Sequence, residues 1–283
     1  MHKVALSLKI YNGGDYTVEW QLLVSFLALG LVVGFAAGLL GIGGGGIMVP
    51  VLTALFVAQG FPAEHVVHVA LATSMAAIVP TALSSMRAHH AKQAVQWSVV
   101  QQITPGILQG TFAATFLAAV LSTRGLAIFF AVFMAYVALQ MWLNIKPKPH
   151  RELPGMAGLS LAGLVIGGVS ALVAIGGGSL SVPYMMWCNV DVRKAIATSA
   201  GIGFPIAVAG TLGYLINGWG QAGLPEHTIG FVYWPAVVLI ALTSFFTTRL
   251  GANLAHTLPI AMLKKVFAVL LVLLSAKMLH SVL

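Results

Sequence analysis

The stretch GLLGIGGGGIMVP, residues 38–50, ends a long apolar segment in a run of glycines, and VAIGGGSLSVP, residues 173–183, repeats the pattern. Consecutive glycines let the backbone leave a helix and let another group approach the amides closely. The apolar segments that follow, near 47–59 and 179–190, are only 13 and 12 residues long. At a rise of about 1.5 Å per residue they reach roughly 18–20 Å. We therefore predict that each forms a half-helix.

The composition excludes an ordinary soluble domain. Hydrophobic residues make up 59% of the 283 residues and charged residues 7%, whereas soluble domains average about 45–50% and about 25%. So few charges cannot cover a surface that faces water, so we expect the lipid bilayer to surround the chain. The net charge of +8 comes from short basic clusters between apolar runs. Such clusters are typical of membrane topology, and we predict no nucleic-acid partner.

Ten apolar segments divide the chain. A helix needs about 20 apolar residues to cross a bilayer, and eight of the segments reach that length. The predicted fold is an all-α integral membrane protein with about eight full transmembrane helices and two half-helices. The ten segments lie near 22–40, 47–59, 64–86, 97–121, 124–144, 155–174, 179–190, 194–217, 229–249 and 260–281.

The sequence is internally repeated. At an offset of 133, Ile42 to Gly45 matches Ile175 to Gly178, and at an offset of 125 the triplet Ala72 to Ser74 matches Ala197 to Ser199. We predict one transmembrane domain, 1–283, with a first repeat at 22–144, a cytoplasmic linker at 145–154 and a second repeat at 155–281. Since each repeat holds five segments, an odd number, the second copy should be inverted, as in many secondary transporters.

The basic residues predict the orientation. If every segment reverses direction, ten Lys and Arg residues lie on one side and four on the other. The richer side is expected to be cytoplasmic, which places both termini outside. In each first helix, small residues four apart, such as Gly30 and Gly34, predict a face for close helix contact.

The glycine loops are the predicted binding site. Gly41 to Gly46 fits GxGxxG literally, but no strand precedes it and no βαβ unit surrounds it, which argues against a dinucleotide site. Unwound backbone inside a bilayer must be buried in protein or line a cavity. The half-helices that follow present unpaired amides and positive dipole ends, which attract anions. The alternative is that the glycines only allow tight helix crossing.

Hydroxyls in the equivalent A-T-S triplets complete the predicted site. They could donate to an anion, or they could bond only to backbone carbonyls of their own helices. The predicted substrate-binding residues are Gly43, Gly44, Gly45, Gly46, Thr73, Ser74, Gly176, Gly177, Gly178, Ser179, Thr198 and Ser199. We expect a valine in place of Gly44 or Gly177 to block the amides without unfolding the protein.

Other residues have predicted roles in gating and access. Prolines bend helices, and those near the site are candidates for gating or simply for packing: Pro50, Pro80, Pro183 and Pro205. No acidic residue lies in the centre of a span, so a buried carboxylate proton relay is not expected. Weaker candidates for access or proton coupling are His68, Arg87, His90 and Lys194.

Nothing in the sequence predicts catalysis. We find no metal-ligand cluster, nucleophile–base pair or cofactor motif, and we expect no enzyme activity, no cofactor and no metal. The single cysteine, Cys188, is expected to be a buried apolar side chain. The oligomeric state is not indicated.

At these residues the chain resembles the TauE/SafE family of sulfite and sulfonate exporters, also called TSUP permeases. The resemblance rests on GIGGGGIMVP at 41–50, IGGGSLSVP at 175–183, the two A-T-S triplets and the closing FAVLLVLLSAKML at 267–279. It implies a bacterial inner-membrane carrier for small sulfur-containing anions such as sulfite, sulfoacetate or thiosulfate, with the glycine loops and triplets as its site. Ser179 replaces the fourth glycine of the first loop, so the two half-sites differ.

Three functions remain open from the sequence. The first is a secondary transporter, an exporter that works by alternating access around a midplane site, with protons carried by the substrate or by a histidine as one means of coupling. The alternatives are a passive anion channel and an import permease for another small organic anion.

Overall fold

The computed structural model describes residues 15–40, 44–143, 150–254 and 260–282, which form ten helices and one short β-hairpin. The helices are α1 Asp15–Leu40, α2 Gly45–Ala58, α3 Val66–Ala91, α4 Trp97–Val120, α5 Thr123–Trp142, α6 Met156–Val173, α7 Gly178–Trp187, α8 Val192–Asn217, α9 Trp234–Leu254 and α10 Ile260–Val282. The hairpin strands are β1 Thr228–Ile229 and β2 Val232–Tyr233.

The helices confirm the predicted fold class. Eight of the described helices are long and apolar enough to cross a membrane. The other two, α2 with 14 residues and α7 with 10, are the predicted half-helices. The chain is a multi-pass membrane protein.

The start of the ninth segment was predicted wrongly. The predicted segment begins at 229, but residues 228–233 form the hairpin and α9 begins at Trp234. Thr228 pairs with Tyr233 and Ile229 with Val232, and Gly230 makes the turn with a φ of 55°. β-Branched and aromatic residues favour strands, so this apolar run is extended rather than helical. At the other end of the chain α1 begins at Asp15, earlier than the predicted 22.

Helix pairs from opposite halves form the core. The most extensive pairs are α1 with α9 and α4 with α6, followed by α3 with α8 and α5 with α10. Replacing each helix by its counterpart in the other half converts α1–α9 into α6–α4 and leaves the α3–α8 and α5–α10 pairs unchanged. The two halves are therefore interlocked in a pseudo-symmetric arrangement. The inversion of the second half across the membrane stays a prediction.

The glycine faces bring the paired helices into backbone contact. A Cβ atom on Gly163 would lie 2.9 Å from Cγ1 of Ile103 on α4. A Cβ on Gly34 would lie 2.5 Å from the Cα and carbonyl oxygen of Ser244 on α9. Real Cβ atoms do not approach so closely. The predicted close helix contact is therefore confirmed for both first helices.

Candidate functional site

Both half-helices begin at a buried glycine in the left-handed conformation. Gly44 has a φ of 71° and caps α2, and Gly177 has a φ of 77° and caps α7. Neither helix has a side-chain hydrogen bond at its N-cap or an acidic residue in its first turn. By contrast, Asp191 caps α8 by accepting from two backbone amides. The positive ends of α2 and α7 are thus buried, and neither helix carries an acidic side chain in its own first turn.

The two glycine loops touch each other. A Cβ atom on Gly45 would overlap the carbonyl of Ala174 and lie 3.2 Å from Cα of Ile175. The loop that ends α6 therefore packs directly against the first turn of α2. Gly43, which was predicted to bind substrate, lies outside the described residues, as do Gly41 and Ile42.

The hydrogen bonds at the two N-termini show which amides remain as donors. The amides of Ile47 and Met48 donate to the carbonyl of Gly44 at 3.1 Å, and the amide of Ser181 donates to that of Gly177 at 2.8 Å. The first amides of a helix have no partner within the helix. Among the described residues, these donors belong to Gly45 and Gly46 in α2 and to Gly178 and Ser179 in α7.

The structure corrects the expectation about valine at the N-caps. The Cβ of a residue at 44 would overlap the side chain of Val33, and at 177 it would lie 2.5 Å from Cδ1 of Ile206. Both positions also have a positive φ, which β-branched residues disfavour. A valine at either position would therefore disrupt helix packing rather than selectively cover the amides.

The threonines of the two triplets bind backbone amides across the halves. Thr73 Oγ1 accepts from the amide of Tyr233, directly before α9, at 3.0 Å. Thr198 Oγ1 accepts from the amide of Gln96, directly before α4, at 3.0 Å. The sequence predicted ligand contact or intrahelical bonding for these hydroxyls, so this role is an unexpected one. The hydroxyl of Ser74 is fully buried and has no hydrogen-bond partner among the described residues.

A small cavity lies beside each glycine loop. The cavity at the second loop, of about 20 Å³, is lined by Gly176 and Ser199 together with Thr81 and Ser85 of α3. That volume admits about one water molecule. Thr81 and Ser85 were not predicted from the sequence, although Thr81 directly follows Pro80.

The cavity at the first loop differs in chemistry. It also measures about 20 Å³, but besides Gly44 and Gly46 its lining consists of hydrocarbon or thioether side chains, including Met141, Phe267 and Leu271. The two loops are therefore equivalent in backbone geometry and unequal in polarity.

The candidate gating prolines all lie inside helices. Pro50 lies in α2, Pro80 in α3, Pro183 in α7 and Pro205 in α8, and each helix continues beyond its proline. Their role in gating stays a prediction.

The candidate access residues separate into buried and exposed groups. His68 is buried, and its Nε2 donates to the carbonyls of Ala118 at 3.0 Å and Leu121 at 3.1 Å, which joins α3 to the end of α4. His90 is exposed, and its Nδ1 accepts from Trp97 Nε1 at 3.0 Å. Arg87 and Lys194 are exposed. None of these contacts tests the predicted roles in access or proton coupling.

One end of the molecule is closed by aromatic rings. Phe56 and Phe61 stack with their centroids 4.6 Å apart, and Tyr233 meets both rings edge-on at 5.5 and 5.3 Å. We call the cluster of Phe26, Phe56, Phe61 and Tyr233 the aromatic seal. It covers the point at which α9 begins.

The equivalent point at the other end is open and polar. Gln96, the counterpart of Tyr233 at an offset of 137, lines a cavity of about 410 Å³ with Glu152, Asp191 and Lys194. We call this cavity the polar vestibule. Cys188 also lines it, and burial raises the pKa of the Cys188 thiol. The starts of α9 and α4 therefore have different surroundings: aromatic rings pack around the first, and a polar cavity adjoins the second.

Comparison with known proteins identifies the family. The family described as "Sulfite exporter TauE/SafE" matches residues 26–278. A "Probable membrane transporter protein" from Haemophilus influenzae is 35% identical over 254 residues, which cover 89% of this chain and 96% of that protein. The "Probable membrane transporter protein YunE" of Bacillus subtilis is 24% identical over 91% of this chain and 97% of its own length. No solved structure matches the chain.

The match covers both glycine loops, both A-T-S triplets and the eight complete helices from α2 to α9, with most of α1 and α10 at the ends. The names of the relatives and of the family describe membrane transport rather than catalysis. The chain therefore belongs to the TauE/SafE family and is a membrane transporter.

Proposed function

We propose that this protein is a secondary transporter that moves small sulfur-containing anions, such as sulfite, sulfoacetate or thiosulfate, across the bacterial inner membrane as an exporter. The binding site is the region where the glycine loops before α2 and α7 meet. The cytoplasmic side is the one that carries Lys194 and the linker at 145–154, and both termini lie outside.

The observation that carries this proposal is that two buried helix N-termini, with no acidic residue in the first turn of either helix, follow loops that touch. Each N-terminus behaves as about half a positive charge, so the pair offers roughly one. Gly45, in the first turn of α2, packs against the carbonyl of Ala174, three residues before the N-cap of α7. A monoanion seated there needs no buried lysine or arginine.

The unequal ends of the molecule support alternating access. Aromatic rings pack around Tyr233 in the aromatic seal, whereas Gln96 lines the polar vestibule and its amide donates to Thr198. Thr198 precedes Ser199, which lines the cavity at the second loop. In a pseudo-symmetric core, exchanging the conformations of the two halves would open the sealed end and close the other. This is the basis of transport by repeat proteins.

Binding to the purified protein is the first experiment. Thermal unfolding is followed with sulfite, sulfate, thiosulfate, sulfoacetate, isethionate and taurine, with acetate as a carboxylate control. A ligand that binds the folded state at 100 times its Kd stabilises it by about 2.7 kcal/mol. We expect one or two sulfur oxyanions to raise the midpoint. If none does in a folded sample, while other anions do, the proposed substrate class is wrong.

Counterflow then separates a carrier from a channel. Proteoliposomes are loaded with labelled substrate and diluted into buffer with or without unlabelled substrate. In a carrier, external substrate binds the outward-facing site and speeds its return to the inside, which accelerates the exit of labelled substrate. Exit that is unaffected by external substrate would indicate a passive pore. Repeating the assay with an imposed pH gradient tests proton coupling.

A further inference from the structure

The two half-sites do not offer an anion the same surroundings. At an offset of 133, Ser179 of α7 stands where α2 has Gly46. A Cβ on Gly46 would face Leu271 Cδ2 at 2.9 Å and Met134 Sδ at 3.1 Å. The first turn of α2 is therefore packed against apolar and thioether groups, whereas that of α7 carries a hydroxyl.

A second hydroxyl lies at the N-cap of α7. Ser170, on α6, has its Oγ 3.7 Å from the position of a Cβ on Gly177. The corresponding position of Gly44 faces Val33. Ser170 is fully buried and Ser179 is 8% exposed. Neither hydroxyl has a hydrogen-bond partner among the described residues.

Orphan hydroxyls at this place need an explanation, because a buried polar group without a partner destabilises the folded protein. Ser170 and Ser179 lie beside amides that also lack a helical acceptor. A ligand oxygen that accepts hydrogen bonds would give such donors the acceptor that they lack. The cavity at Gly176 carries further hydroxyls, from Thr81, Ser85 and Ser199, among mostly apolar side chains.

The two half-helices also differ in how tightly they are packed against neighbouring helices. α10 packs extensively against α2, whereas within the described helices α5 makes no packing of comparable extent with α7. Residues 45–50 of α2 are all buried, but Leu180, Val182 and Pro183 of α7 are only partly buried. α2 is therefore packed more tightly than α7, and α7 can adjust more easily around a ligand.

We propose that a small oxyanion is hydrogen-bonded by the α7 half-site alone, through the amides of Gly178 and Ser179 and the hydroxyls of Ser170 and Ser179, and that α2 contributes only the positive end of its helix. This inference rests on the proposed transport of anions. It assigns Ser170, which the sequence did not predict, as a substrate-binding residue. It also gives the ligand a preferred side within a pseudo-symmetric core.

The test compares four variants of the full-length protein: S170A, S179A, S74A and T53V. Thr53 is the matched control from the first repeat, and Ser74 is the first-repeat residue that was predicted to bind substrate; both are fully buried with hydroxyls that lack partners among the described residues. Thr53 lies two turns beyond the N-terminus of α2. Sulfite and sulfoacetate are the probes, and Kd is measured by calorimetry and by the ligand-dependent shift of the unfolding midpoint.

We expect S170A and S179A to weaken binding by about 10–100-fold, because a hydrogen bond to a charged group is lost. T53V should bind like the wild type, and S74A measures whether the first repeat also contacts the anion. Without ligand, S170A should unfold at the same temperature as the wild type or higher, because an orphan hydroxyl has been removed. A purely structural role for Ser170 would instead lower the ligand-free midpoint and leave Kd unchanged.

The remaining outcomes overturn the proposal in distinguishable ways. If S74A weakens binding as much as S170A, the anion bridges both halves. If the wild type binds sulfite and none of the four variants changes Kd, the site is elsewhere while the proposed transport stands. If the wild type neither binds nor transports any anion of the panel, the proposed function itself fails.

Discussion

The α4–α6 contact allows a prediction in which two adjacent glycines should respond in opposite ways to the same substitution. A Cβ on Gly167 would lie 2.6 Å from both the carbonyl oxygen of Ile107 and Oγ1 of Thr111. A Cβ on Gly168 would lie 3.6 Å from the carbonyl oxygen of Gly110, an ordinary contact. Since optimal separations begin near 3.5 Å, G167A must push α6 from α4 by about 1 Å, whereas G168A requires no movement.

The magnitudes follow from this geometry. Alanine gains about 1 kcal/mol over glycine in a helix interior, and this gain applies to both variants. Overpacking a close contact costs about 1–3 kcal/mol, and this cost applies only to G167A. We therefore expect G168A to match or exceed the wild type, and G167A to be less stable than G168A by about 1–3 kcal/mol.

Reversible unfolding in detergent micelles measures this difference. The free energy of unfolding is compared for wild type, G167A and G168A, and sulfite transport is measured in proteoliposomes. Because Ser170 lies on α6 just beyond Gly167, G167A should also slow transport, while G168A should not. Equal stability of the two variants would refute the close α4–α6 contact. If G167A is destabilised but transports normally, the α4–α6 contact does not affect the proposed anion site.

Three further predictions concern the cross-half hydrogen bonds, the cysteine and the aromatic seal. T73V leaves the amide of Tyr233 without its acceptor and should destabilise the protein by about 1–3 kcal/mol, whereas T73S should restore the unfolding midpoint. Burial raises the pKa of the Cys188 thiol, and only the thiolate reacts with maleimide. Labelling of the folded protein should therefore be slow at pH 7–8, accelerate as the pH rises and become fast on unfolding. Rapid labelling of the folded protein at pH 7 would contradict this expectation. F61A removes the ring stacked on Phe56 and should increase the rate at which labelled substrate leaves proteoliposomes when no unlabelled substrate is present outside. An unchanged rate would show that the aromatic seal is not a barrier.

The sequence predicted the parts of this molecule that depend on local properties. The apolar length of each segment specifies the eight spans, and the glycine runs specify where α2 and α7 begin. The glycine faces follow from a spacing of four residues that is visible in α1 itself. Each of these signals is contained within one helix and its immediate neighbours.

The parts that could not be predicted depend on which segments meet. Thr73 finds the amide of Tyr233 across 160 residues of chain, and His68 finds the carbonyl of Ala118 across 50. Ser170 became a candidate only once its hydroxyl was seen beside Gly177, because serine in an apolar helix usually bonds to its own backbone. At the offset of 133, the position in α1 that matches Ser170 is Ala37. This difference is visible in the sequence, but it does not indicate that the serine is close to the N-cap of α7.

The exchange of partners between the halves imposes an order on biosynthesis. Ser160 of α6 donates to the carbonyl of Gln102 in α4, 58 residues earlier, whereas Thr243 of α9 donates to the carbonyl of Leu27 in α1, 216 residues earlier. At about 5–20 residues per second, the ribosome reaches the partner of α4 in about 3–12 s and that of α1 in about 10–40 s. During that interval the glycine face of α1 must remain against lipid or an insertion factor. Truncation before α9 would leave this face without its partner and so mark the nascent protein for degradation.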